Sequence, residues 1–217
     1  MKLRRVADLL IVSGLTVLSA CTRSWQIEAR PSPIASSTAV APTDERPNSR
    51  ILPVNVEGKV TEIELKLFAQ SPLPITTYVP VKDFTHEVGS SEEGTGVRFY
   101  YSPKGVRNDE AYIHIFLPTQ NISVAGMQDR LVGDGGLLAS NGWELVDRTD
   151  IVSYAWAKEK LIYQQRAPDQ TFIGSIYIGE QDGAAFYAFT HYPAEYRNAF
   201  EPRSTVILES LQFNAKK

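Results

Sequence analysis

Three histidines and one cysteine carry most of the metal-ligating and nucleophilic capacity of these 217 residues. His86, His114 and His191 lie 28 and 77 residues apart, so no local spacing of the kind that builds a metal site joins them. A sheet could still bring His114 and His191 together. His114 shares a strand face with Tyr112 and Phe116 in the run Tyr112-Ile113-His114-Ile115-Phe116. It reads either as a hydrogen-bonded core histidine or as a ligand contact or general base working with Asp109 or Glu110. Glu92 and Glu93 stand between serine and glycine, the setting of a solvated turn rather than of an acid/base pair. The sequence has no Gly-x-Ser-x-Gly, Ser-x-x-Lys or His-Glu-x-x-His motif and no EF-hand loop. Ser175 is therefore read as a strand residue. Gly133-x-Gly135-Gly136 lacks the third glycine of a dinucleotide fingerprint and reads as a helix stop. No cofactor and no metal is expected, and binding is favoured over catalysis.

The cysteine answers a different question. Cys21 is the only thiol in the chain, which excludes an internal disulfide or a thiolate metal site. It follows a basic start, Met-Lys-Leu-Arg-Arg, and an uncharged apolar run from Leu9 to Ala20, too short for a membrane span of roughly 20 apolar residues. Leu18-Ser19-Ala20-Cys21 resembles the lipobox of bacterial lipoproteins. That resemblance implies removal of residues 1–20 as a signal peptide, lipidation of Cys21, and export to the outer face of the plasma membrane or the periplasm. In a cyanobacterium the destination could equally be the thylakoid lumen.

Charge narrows the partners further. Residues 1–20 carry Lys2, Arg4, Arg5 and Asp8, so their removal takes the formal charge from −3 to −5. A mildly acidic body without a Lys/Arg run is unsuited to a phosphate backbone, and no nucleic-acid partner is expected. A hydrophobic content of 43% is ordinary for a folded domain and excludes general disorder. The stretch 21–53, with Pro31, Pro33, Pro42, Pro47 and Pro53 among Ser, Thr and Ala, reads as a tether. A coil of ~30 residues places the body roughly 30 Å from the lipid on average.

Residues 54–217 then fit a single domain. Ile63, Leu65 and Leu67 alternate with charged residues and predict a half-buried strand; further strands are predicted over 75–79, 97–101, 111–117, 143–147, 160–166, 171–178 and 184–191. Residues 85–95 read as an exposed turn, and Gly179 to Gly183 as a hairpin loop. Ser123 caps a helix carrying Val124, Met127 and Leu131. Ser204 is expected to cap a final helix from Thr205 to Gln212, separated by Pro202 from a shorter turn at 195–200. Many antiparallel strands with a few packed helices define an α+β sandwich.

Ser102 to Glu110 is longer than a hairpin needs and carries two cations, Lys104 and Arg107, which makes it a candidate contact for an acidic partner surface. The ending Glu201-Pro202-Arg203-Ser204-Thr205-Val206-Ile207-Leu208-Glu209-Ser210-Leu211-Gln212-Phe213, after two aromatic-rich strands, resembles the close of the Mog1/PsbP group. That resemblance implies a final helix packed on an antiparallel sheet and, for exported members, accessory or assembly work at a photosystem. The expectation is a lipid-anchored accessory factor for a membrane protein complex. The alternative is an envelope hydrolase or small-ligand binder built on His114.

Overall fold

The computed structural model describes residues 46–214. The signal peptide 1–20, Cys21 and most of the expected tether lie outside the described residues. The strands are β1 (Ser49–Val56), β2 (Lys59–Phe68), β3 (Ile75–Pro80), β4 (Phe84–Ser90), β5 (Gly94–Tyr101), β6 (Tyr112–Pro118), β7 (Glu144–Thr149), β8 (Ala157–Arg166), β9 (Thr171–Gln181), β10 (Ala184–Pro193) and β11 (Gln212–Phe213). The helices are α1 (Val124–Val132), α2 (Leu137–Ser140) and α3 (Arg197–Glu209). A four-stranded sheet runs β1-β2-β3-β11 and a seven-stranded sheet β4-β5-β6-β10-β9-β8-β7, with every pairing antiparallel. The domain is α+β, mostly antiparallel sheet with a few packed helices. None of the described helices is long and apolar enough to cross a membrane.

A period of two sorts the large sheet into two faces. Val97, Phe99, Ile113, Ile115, Phe186 and Ala188 point to the side where the small sheet and α3 close the main core. α3 serves both sheets, giving Phe200, Ile207 and Leu208 to that core and Val206 to a cluster with Ile63, Leu65 and Tyr78. On the other side, α1 and α2 place Met127, Leu131 and Leu138 on Leu161, Ile176, Ile178 and Phe189, which belong to β8, β9 and β10. Ser123 caps α1 as its sequence predicts, its Oγ accepting from the Gly126 amide at 3.1 Å. Neither β4 nor β5 contributes to this second cluster, so among the described residues one half of the sheet face is covered and the other half is not.

Four expectations are corrected. The ordered chain starts before residue 54: β1 begins at Ser49, inside the stretch read as tether. It is an edge strand, where Pro53 opposite Glu62 costs no ladder bond. The entry to β1 is pinned as well. Arg46 donates to Thr76 Oγ1 at 2.8 Å and to the Ser210 carbonyl at 2.9 Å, and Tyr78 donates to the Pro47 carbonyl. The guanidinium carbons of Arg46 and Arg50 lie 4.5 and 4.0 Å from the centre of the Tyr78 ring.

Residues 85–95 are also not a turn throughout; β4 occupies Phe84–Ser90, and the reversal is confined to Ser91, Glu92 and Glu93. The loop read over 179–183 shrinks to Asp182 and Gly183, whose φ values of 53° and 80° suit a two-residue hairpin turn. Finally, α3 runs unbroken through Pro202, and Ser204 is not its cap but donates to the Glu201 carbonyl at 3.0 Å. A proline here removes one helical hydrogen bond. Phe200, Ile207 and Leu208, all essentially inaccessible, hold both turns against the sheets.

Candidate functional site

The uncovered half of the large sheet forms a hollow of about 300 Å³. Alternation brings Glu87 and Gly89 of β4, Gly94, Gly96, Arg98 and Tyr100 of β5, and His114 and Phe116 of β6 to the same side. Two glycines make the hollow possible. A Cβ on Gly96 would stand 2.7 Å from His114 Nε2 and 2.9 Å from the Ile115 carbonyl oxygen, and one on Gly94 would collide with the Phe116 ring and the Leu117 carbonyl. The side chains of β6 therefore lean across bare backbone of β5. Gly96→Val is expected to cost about 1–3 kcal/mol by overpacking. Gly89→Ala meets nothing within 4 Å and should stay within about 0.5 kcal/mol of wild type. Urea unfolding of the two variants checks the contrast.

Aromatic contacts fix the walls. Phe116 stacks on Tyr187 at 5.3 Å and 28°, and His114 meets Phe189 edge-on at 5.3 Å. Arg98 lies over Tyr112 at 5.4 Å, and Arg107 over Tyr100 at 3.6 Å. The charges are unequally matched. Arg107 pairs with Asp109 at 2.6 Å and with Glu87 at 3.4 Å. Arg98 is exposed, stands opposite Glu87 and His114 in the ladders, and has no ion-pair partner among the described residues.

His114 is neither hydrogen-bonded among the described residues nor paired with Asp109 or Glu110. Burial, and then the nearby Arg98, lower its pKa to about 3, so the ring is neutral at pH 7. Among the described residues it has no hydrogen-bond partner, and one edge of it borders the hollow. Asp109 is engaged by Arg107, and Glu110 accepts from Gln170 at 3.3 Å; the carboxylate that shares the hollow with His114 is Glu87. His191 instead has the character of a core histidine. It stacks on Trp143 at 5.2 Å and on Phe172 at 4.8 Å, and burial lowers its pKa to about 4. Tyr163 spends its single proton on the Thr190 carbonyl at 2.8 Å, so its contact with His191 Nδ1 at 3.1 Å requires Nδ1 to donate. His114 and His191 do reach the same face of the sheet, opposite Phe189 and Tyr112 respectively. Among the described residues no group of three His, Cys, Asp or Glu side chains could hold a metal.

The loop singled out for its cations is only partly available. Pro103–Gly105 forms a 3-10 turn with Lys104 at φ 60°, and Lys104 is exposed without an ion pair among the described residues. Arg107 is folded back onto Tyr100 and neutralised. The sequence reading missed Arg98, Glu87, Gly94 and Gly96. The signal was the period-two run Gly94-x-Gly96-x-Arg98-x-Tyr100, which puts two absent side chains and a cation on one strand face.

No family model matches this chain, and no curated protein matches it. A solved structure from Bacteroides thetaiotaomicron VPI-5482 is similar with a TM-score of 0.36 and 13% identity, over 66% of this chain and 46% of that one. The chain thus spans less than half the length of that protein.

Proposed function

We propose that this is an exported, lipid-anchored binding protein, held at the outer side of a membrane through Cys21 and acting as an accessory or assembly factor for a membrane protein complex. The observation that carries the binding role is the half-covered sheet, whose hollow places the unmatched cation Arg98 among Tyr100, His114 and Phe116. Catalysis fits this site poorly, since a general base works best with a pKa near the operating pH and His114 sits near 3. A large antiparallel sheet closed by a C-terminal helix is in keeping with a Mog1/PsbP-like sandwich. The basic start, short apolar run and Leu18-Ser19-Ala20-Cys21 support the anchor and the export.

Arg98→Glu tests the binding role. Arg98 is exposed, but a glutamate there stands directly opposite Glu87, so stability should fall by about 0.2–1 kcal/mol. Capture of the complex from native membranes should weaken about tenfold, the scale of an interfacial arginine. Undiminished capture would remove the hollow from the interface.

A second reading, a small-ligand site, is favoured by the absence of a hydrogen-bond partner for His114. A neutral imidazole bordering a hollow of about 300 Å³ could receive one polar group of a small molecule. Such a ligand would raise the melting temperature in proportion to its concentration above Kd, and His114→Phe would abolish that rise.

A further inference from the structure

We infer that the hollow beside β4 is a site for a free α-amino acid, held by its two charges between Glu87 and Arg98 with its side chain over the bare backbone of Gly89. This rests on the small-ligand reading above and names the class of ligand. Glu87 and Arg98 stand directly opposite each other on β4 and β5, on the face that lines the hollow. Opposite charges in that position ordinarily attract. Here they are not paired with each other: Glu87 reaches Arg107 of the loop after β5, and Arg98 leans over Tyr112 of β6. Each turns to another element, so the hollow keeps one negative and one positive wall.

Neither charge is committed to its present neighbour. The Glu87–Arg107 contact of 3.4 Å is longer than the roughly 2.7–2.9 Å of a strong charged pair. Arg107 also holds Asp109 at 2.6 Å, so it keeps a counter-charge when Glu87 turns to a ligand. Arg98 has no ion pair among the described residues, and the Tyr112 ring at 5.4 Å replaces only part of one.

This pattern of charge selects the ligand. A simple anion is opposed by Glu87 and a simple cation by Arg98, so the site discriminates against both. A molecule with an ammonium and a carboxylate on one carbon satisfies the two walls together, because cross-strand neighbours have Cβ atoms only about 5 Å apart. In a peptide those charges lie at opposite ends of the chain, which leaves the free amino acid. The remaining groups suit the rest of such a molecule. A Cβ on Gly89 would meet nothing within 4 Å, so the floor is open there, and the Phe116 ring, stacked on Tyr187, bounds the hollow. An apolar or aromatic side chain fits between them. His114 stands opposite Arg98 on β6 and has no hydrogen-bond partner among the described residues, so its N–H can serve the carboxylate without adding a charge. A hollow of about 300 Å³ is at the small end of ligand sites and suits a single amino acid.

The test titrates L-phenylalanine, hydrocinnamate and phenethylamine into the full-length protein in detergent at neutral pH and follows the Gly89, Gly94 and Gly96 amides by nuclear magnetic resonance. Phenylalanine should shift these amides at millimolar concentration. Hydrocinnamate lacks the ammonium and phenethylamine the carboxylate, and each should bind at least about fivefold more weakly, the scale of one exposed charge contact. Arg98→Met should weaken phenylalanine about fivefold and leave it no better than phenethylamine; Glu87→Gln should weaken it as much and leave it no better than hydrocinnamate. Both residues are exposed, so neither change threatens the fold, and a merely structural effect would weaken all three compounds alike. The inference is overturned if phenylalanine leaves the glycine amides unmoved, if either analogue binds as tightly as phenylalanine, or if the two variants do not lose selectivity in these opposite senses. An analogue that binds as tightly, and is lost in His114→Phe, ends the amino-acid claim and keeps the small-ligand reading. If none of the three binds, the inference falls, and thermal shifts with neutral compounds in wild type and His114→Phe judge the small-ligand reading by itself.

Discussion

Cys21→Ser should transfer the protein from the membrane fraction to the soluble one, resistant to no salt wash, with the folded domain unchanged. Each buried methylene contributes about 0.8 kcal/mol, so a single acyl chain holds a protein marginally and more than one holds it stably. Serine offers no thiol to acylate and abolishes the whole of this term. The domain itself should not notice, because its buried core is built from residues between Val56 and Leu211, none of them a cysteine. Fractionation followed by immunoblotting reads the first effect, and the melting temperature of the soluble product reads the second. A serine variant that remains in the membrane pellet after salt washing would end the lipidation proposal.

Stability should be flat near pH 7 to 8 and fall steeply between about pH 6.5 and 4.5. His114 and His191 have folded pKa values lowered to about 3 and about 4, while an unfolded histidine titrates near 6.5. Across that window the unfolded chain binds up to two more protons than the folded one, so unfolding is favoured as the pH drops. The stability these histidines contribute is complete above about 6.5 and is lost on descending toward their folded values. At about 1.4 kcal/mol per pKa unit, the two together cost on the order of 5 kcal/mol by pH 4.5, comparable with the whole stability of a small domain. His86 is shifted in the same direction, by burial and then by Lys66, but it is exposed and adds little. His191→Phe keeps a flat ring between Trp143 and Phe172 and should halve the slope, as should His114→Phe. Urea midpoints that do not change down to pH 4.5 would show that neither ring is held neutral.

The strands with an apolar run or a regular apolar/charged alternation were legible in the sequence, and those with neither were not. β6, β9 and β10 announce themselves through runs such as Ile113 to Phe116 and Phe186 to Phe189. β4 was read as turn because Gly89 and Ser90 border the hollow and Thr85 and Glu87 are exposed, so no apolar period remains to be seen. β1 was hidden in the same way, as an edge strand with Pro53 and an exposed Ile51. Pro202 misled in the opposite direction: local chemistry forbids it inside a helix, and burial of Phe200 and Ile207 overrides the local preference. At the candidate site, His114 could be singled out by residue type. Arg98 could not, because its importance lies in the carboxylate it lacks, and Glu87 is drawn away by an arginine from a distant loop.

The clasp of Arg46 and Arg50 around Tyr78 gives the domain a mechanical polarity. Among the described residues, a pull on the chain from the N-terminal side arrives first at Arg46, whose two hydrogen bonds and stacked ring belong to β3 and to the end of α3. Once Arg46 yields, the load passes to the Asn48 carbonyl, which accepts from the Leu67 amide at 2.8 Å, and then to the β1–β2 ladder. From there the rungs open one at a time toward the turn at Glu57 and Gly58, the geometry of a zipper rather than of a sheared sheet. In a body tethered and docked as proposed, Arg46 and its contacts to Tyr78, Thr76 and Ser210 are the first of the described groups to bear that force.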